Sequence, residues 1–196
     1  MGVPKEIKKL ILELENEDIV ERQNAIAILV KEKNPELTEL LVSLLRKNAS
    51  NIFKECACEI LGEKKTKEAV DALIKCLSDS TDGVKFKAAI ALGKIGDSRA
   101  VEPLLMKIKR NVDPILKSEA IIALGRIGDK SAVKPIINSL RNDDDLFVKH
   151  HSVRALGEIG SKEALKALSE FANRRRKSRL NFLAHEAIMK INGSSS

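Results

Sequence analysis

The sequence predicts an all-α solenoid, a stack of helix pairs, and three observations carry that expectation. The stretch 88–105, AAIALGKIGDSRAVEPLL, returns at 120–137 as AIIALGRIGDKSAVKPII and more loosely at 152–169 as SVRALGEIGSKEALKALS, with a fainter echo at 57–74. Aligned on the glycine of the shared word, the markers are Gly62, Gly93, Gly125 and Gly157, separated by 31, 32 and 32 residues, with Val30 another 32 upstream. A fixed period of this length marks a repeat array, whose units bury their apolar faces only by stacking on their neighbours. Finally, the 196 residues include no Trp, no Tyr and five Phe, so an interior must be built from Leu, Ile, Val and Ala, which suits closely packed helices.

The elements follow in order. Residues 4–15 place Ile7, Leu10, Ile11 and Leu14 at helical spacing behind Pro4, and form the expected N-terminal capping helix. Each later unit reads as two helices, A then B. The A helices are expected near 18–33, 50–62, 82–95, 113–127 and 144–159, with Asp82, Asp113 and Asp145 where an N-cap is wanted. The B helices are expected near 35–47, 66–78, 98–110, 130–141 and 162–173. Pro103 and Pro135 fall about five residues into theirs, which predicts an irregular first turn. Of the paired glycines Gly93/Gly96, Gly125/Gly128 and Gly157/Gly160, the first should permit close helix approach and the second should end helix A in a left-handed conformation. After the run RRRKSR at 174–179, a last helix is expected over 180–191. Its register is open: Ile188 aligns with Leu156 at the usual 32, whereas HEAI at 185–188 matches SEAI at 118–121 after a three-residue insertion. The expected organisation is one domain, 1–196, with a cap at 1–17, five repeats at 18–173, a basic turn and capping helix at 174–192, and a tail at 193–196.

Charge is unevenly placed. Residues 1–98 carry 16 Lys/Arg and 17 Asp/Glu, and residues 99–196 carry 19 and 11, so attraction to an acidic partner should come from the second half. Cys56, Cys58 and Cys76 make neither a CxxC nor an even framework and read as reduced core thiols of a cytoplasmic protein. No stretch approaches the roughly 18 apolar residues of a membrane span, and Glu6 spoils a myristoylation motif at Gly2.

The words that open an A helix with Val84 or Val148, close it with ALGxIGD and open the B helix with AVxPLL resemble the HEAT-like repeats of phycobilin lyase subunits, most strongly over 84–168. That resemblance implies a right-handed superhelix of antiparallel helix pairs with the armadillo-like arrangement of A helices convex and B helices concave. It implies little about function, since such repeats serve scaffolds, regulatory subunits, bilin lyases, a DNA glycosylase branch and deoxyhypusine hydroxylase.

On the B helices, Val70, Val101, Val133 and Leu165 are expected to face the core. This leaves polar columns: Asp71, Glu102, Lys134 and Lys166; then Lys75, Met106, Asn138 and Glu170; then Ser78, Lys109, Arg141 and Asn173. The first turns from acidic to basic midway, which would orient an elongated partner. The alternative is that these residues are merely solvated. The expected function is a non-enzymatic, monomeric scaffold binding a protein segment through this face.

Nucleic acid is the competing partner, held by Arg174, Arg175, Arg176, Lys177 and Arg179 through phosphate neutralisation. Against it stand the missing aromatic stackers and the acidic first half. No cofactor or metal is expected. Deoxyhypusine hydroxylase holds iron with His-Glu pairs on successive repeats, and only His185-Glu186 has that form here. Its counterparts are Ser118-Glu119 and either Phe86-Lys87 or His150-His151. No nucleophile elbow or phosphate-binding loop is present in the sequence, and bilin lyase-like activity remains the remote enzymatic alternative.

Overall fold

The computed structural model describes residues 3–46, 49–109, 112–173 and 178–193, which contain twelve α-helices and no strand. They divide into two compact units, Met1–Ile95 and Gly96–Ser196. The division falls inside the third repeat.

In Met1–Ile95, α1 (Lys5–Glu13) precedes α2 (Ile19–Lys31) and α3 (Pro35–Arg46), then α4 (Asn51–Glu63) and α5 (Val70–Cys76), and α6 (Asp82–Ile95) ends the unit. The A helices α2, α4 and α6 pack side by side, and α3 and α5 form the second layer, each against the following A helix. In Gly96–Ser196 the helices are α7 (Val101–Leu105), α8 (Pro114–Ile127), α9 (Val133–Asn142), α10 (Leu146–Ile159), α11 (Leu165–Ala172) and α12 (Arg179–Gly193). There α8, α10 and α12 make the A layer, and α7, α9 and α11 each pack on the A helix that follows.

Short polar side chains start these helices. Asp18, Ser50, Asp113 and Asp145 accept first-turn amides, as at Asp113, which takes both Ile115 N and Leu116 N. Each such cap is worth about 1 kcal/mol. Asp82 instead lies inside α6 as its first residue and pairs with Lys85 Nζ at 2.6 Å.

Every B helix after α3 begins with a 3₁₀ turn, at Lys67–Ala69, Ser98–Ala100, Lys130–Ala132 and Lys162–Ala164. The two turns without a following proline are built like the two with one. The irregular first turn therefore belongs to the repeat, and it lets Pro103 and Pro135 fall third in their α-helices, where no intrahelical N–H is lost. Ala69, Ala100, Ala132 and Ala164 are fully buried in these turns.

The glycine pairs divide their work. A Cβ on Gly62 would lie 2.7 Å from Ala91 Cα, one on Gly125 would lie 2.9 Å from Ala155 Cα, and one on Gly157 would lie 3.0 Å from Ala187 Cβ. Ala187 lies 32 residues after Ala155 and plays the same part, so α12 keeps the 32-residue register and His185 loses its alignment with Ser118. Gly96, Gly128 and Gly160 have φ of 73°, 77° and 72°; the matching residue of the second repeat is Lys65, at φ 52°. A side chain there costs roughly 1 kcal/mol.

Two ion pairs recur at the same place in their repeats, each joining an A helix to the end of its own B helix. Lys54 Nζ meets Asp79 Oδ2 at 3.0 Å, and Lys117 Nζ meets Asp143 Oδ2 at 2.6 Å with side chains only 8% and 13% exposed. Burial raises the Asp143 carboxyl, but the bonds from Lys117 and the Asp145 amide outweigh it and leave the group below its ordinary range. The three cysteines are free and buried, and Cys58 is pushed up by its hydrogen bond to Cys76 and by burial.

Candidate partner-binding surface

The exposed columns of the B helices are built by the 3.6-residue period. In α9, Val133, Ile136 and Leu140 are buried, which turns Lys134, Asn138 and Arg141 outward; in α11, Ala167 and Leu168 are buried and Lys166 and Glu170 are exposed.

Within Gly96–Ser196 these residues converge. A cleft of about 390 Å³ between α9 and α11 is lined by Lys134, Asn138, Arg141, Glu163 and Lys166, with Ile137 and Ala167 as its apolar part. A cleft of about 350 Å³ adjoins it through Asn138 and Asn142 and adds Lys109. Asn142 Nδ2 donates to Asn138 Oδ1 at 2.7 Å, and both side chains are exposed.

Carboxylates already temper this basic surface. Arg141 donates from Nε and Nη2 to both oxygens of Glu170, at 3.1 and 2.8 Å, and Lys134 lies 3.6 Å from Glu163. The side chains are 42% and 45% exposed in the first pair and 82% and 49% in the second. Pairs this exposed contribute about 0–1 kcal/mol, so an incoming carboxylate can replace the internal one at little cost. Glu163 is a member that the column reading omits; its signal was the Lys134–Glu163 spacing of 29 residues, the same as Arg141–Glu170.

Of the other residues singled out in the sequence, Glu102 is exposed on α7 and Met106, 54% exposed, follows that helix. Asp71 and Lys75 are exposed on α5 in the other unit. Arg174, Arg175, Arg176 and Lys177 lie outside the described residues. Arg179 opens α12, where its charge acts on His150 in the A layer. Burial first, and Arg179 second, hold His150 below the ordinary imidazole value; burial, Arg154 and His150 do the same for His151. Among the described residues no three His, Cys, Asp or Glu side chains gather as a metal site, and no helix is long and apolar enough to cross a membrane.

A profile of HEAT repeats matches residues 38–119 and 101–189. The chain belongs to the HEAT-repeat family. Solved structures agree on the fold of this HEAT-repeat chain. A designed armadillo repeat protein in complex with the peptide (KR)4 is 19% identical over 96% of this chain and all of its own, with a TM-score of 0.65. The archaeal HEAT-like repeats protein from Thermococcus onnurineus NA1 is 14% identical over the whole of both chains, with a TM-score of 0.55. The complex of CpcE and CpcF of phycocyanin lyase from Nostoc sp. PCC7120 matches at 20% identity over all of this chain and 91% of the other, with a TM-score of 0.54. No curated protein matches the chain. Solenoids of this class are typical of protein-binding scaffolds and mostly non-enzymatic.

Proposed function

We propose that the HEAT-repeat chain is a non-enzymatic scaffold that holds an acidic, extended protein segment on the B-helix face of residues 96–196. The observation that carries this reading is the convergence of Lys134, Asn138, Arg141 and Lys166 on one cleft. Cations there would meet partner carboxylates, and the Asn138 and Asn142 carboxamides would meet a peptide backbone. Rigid helices present these groups in place, which lowers the ordering cost of binding. Residues 96–196 carry 19 Lys/Arg against 12 Asp/Glu, which would favour encounter with such a segment. The designed armadillo neighbour, which binds a basic peptide, illustrates how this fold takes an elongated charged ligand.

Fluorescence anisotropy with a labelled (DE)4 peptide tests the reading. Lys134→Glu with Lys166→Glu should weaken binding at least about tenfold, while far-UV circular dichroism stays unchanged. Unchanged affinity overturns it. If a single-stranded oligonucleotide binds with a steep salt dependence and the peptide does not, phosphate neutralisation is the working chemistry and the nucleic-acid reading takes its place.

A further inference from the structure

The step between α8 and α10 holds another cleft, of about 300 Å³, in the A layer of Gly96–Ser196 and apart from the B-helix face. Its lining comes from Pro114, Ile115, Ser118 and Glu119 of α8 and from Phe147 and His151 of α10. Two of these are large apolar side chains left in water, Ile115 at 57% and Phe147 at 71% exposure. Behind them lie polar groups with unmet needs. Ser118 is 7% exposed, and its Oγ is buried with no hydrogen-bond partner. Glu119 is half-buried and has no ion pair among the described residues. Burial pushes its carboxyl up, opposed by the charge of Arg126.

A buried hydroxyl without a partner and a half-buried carboxylate with no ion pair both carry a free-energy cost that a bound donor would reduce. The matching ligand combines a cationic head with an apolar stem. A purely aliphatic side chain would bury Glu119 further without pairing it. An acidic one would face Glu119 and Asp145, which also lines the cleft. Helix N-termini ordinarily favour anions. Here Asp113 and Asp145 already cap α8 and α10 through the first-turn amides. Lysine fits better than arginine, because its compact head can donate to a carboxylate and a hydroxyl in different directions, whereas the guanidinium fork is planar.

The equivalent step in the other unit shows that the cleft is not a general packing defect. There Glu55 and Gly83 stand where α8 and α10 have Ser118 and Phe147. A Cβ on Gly83 would lie 2.2 Å from Glu55 Oε1, so the Glu55 side chain fills that space itself.

We propose that the α8/α10 cleft accepts a lysine side chain from a partner polypeptide, its stem between Ile115 and Phe147 and its ammonium donating to Glu119 and Ser118 Oγ.

The test is a nuclear magnetic resonance titration of the full chain with the blocked pentapeptide Ala-Leu-Lys-Leu-Ala and its norleucine analogue, which keeps the stem and lacks the ammonium. The lysine peptide should shift the amides of Ile115, Ser118, Phe147 and His151. Norleucine, Glu119→Gln and Phe147→Ala should each weaken binding about tenfold. Circular dichroism of both variants should match the parent, since Phe147 is exposed and Gln is isosteric with Glu. The proposal is overturned if norleucine binds as well as lysine, if the shifts fall only on the B-helix face, or if the cleft amides instead track protein concentration without peptide, which would make a second copy the occupant. None of these outcomes bears on the acidic-peptide reading, whose variants lie on α9 and α11.

Discussion

The α4/α6 step and the α8/α10 step are built from the same parts and end with different surfaces. Both bring a glycine of one A helix against an alanine of the next, Gly62 on Ala91 and Gly125 on Ala155. Both tie the A helix to the end of its B helix with a lysine–aspartate pair, Lys54–Asp79 and Lys117–Asp143. They part at two positions near the helix starts. Glu55 over Gly83 closes one step on itself; Ser118 beside Phe147 leaves the other open, with an aromatic ring in water. Backbone contact thus constrains the frame of a repeat, while the positions facing the seam between helix starts are free to decide whether a step is inert or receptive.

The most damaging way to probe this comparison is to attack what the steps share. Gly125→Val should destabilise the protein by about 4 kcal/mol, because the neighbouring Ala155 backbone cannot give way as a flexible side chain could. Chemical denaturation measures this, and a loss under 1 kcal/mol would mean that the A helices shift apart freely. Next comes the buried pair. Lys117→Met leaves Asp143 desolvated without its cation and should cost about 3 kcal/mol at neutral pH. The lowered Asp143 carboxyl contributes stability that is present above the unfolded value near 3.9 and lost as pH falls through the folded one. The variant should therefore lose part of the parent's acid sensitivity in thermal melts taken below about pH 4. A variant melting curve parallel to the parent's at every pH would deny the pair that role.

The smallest effect sharpens the difference between the steps. Gly83→Phe alone must expel the Glu55 carboxylate, and Glu55→Ser relieves it, so a double-mutant cycle should show coupling of about 1 kcal/mol. The double variant should also expose an aromatic ring as Phe147 does, measurable as a new aromatic resonance accessible to a paramagnetic solvent probe. Additive stabilities would place the two residues in independent environments.

Much of this frame was legible in the sequence, for reasons that particular residues make plain. The regular spacing of Gly62, Gly125 and Gly157 is a direct record of a repeated contact, since each meets an alanine of the next A helix at an approach too close to admit a side chain. Asp113 and Asp145 announced their helices because capping is a local event of two or three residues. The columns of α9 and α11 followed from helical period alone. The 3₁₀ turns at Lys67–Ala69 and Lys162–Ala164 were not foreseen, because prolines drew the reading to the other two repeats. The ion pairs Lys54–Asp79 and Lys117–Asp143, across 25 and 26 residues, and Lys134–Glu163 and Arg141–Glu170, across 29, were also missed, since such charges pair through tertiary geometry and leave no local mark. The register of α12 is decided by the approach of Gly157 to Ala187, a tertiary contact that neither local alignment contains.

The sequence by itself determined the helical repeat, its period, the caps at Asp113 and Asp145 and the family to which the chain belongs, because each of these is recorded locally or at fixed spacing along one polymer. Tertiary structure alone decided which charges face a common cleft, that Lys134, Asn138, Arg141 and Lys166 line one while Glu163 and Glu170 temper it, and that Ser118 and Glu119 lie behind Ile115 and Phe147. Those facts depend on side chains of neighbouring helices meeting across a seam, and the volume left at a seam is set by pairs of residues about thirty positions apart, which no local pattern records.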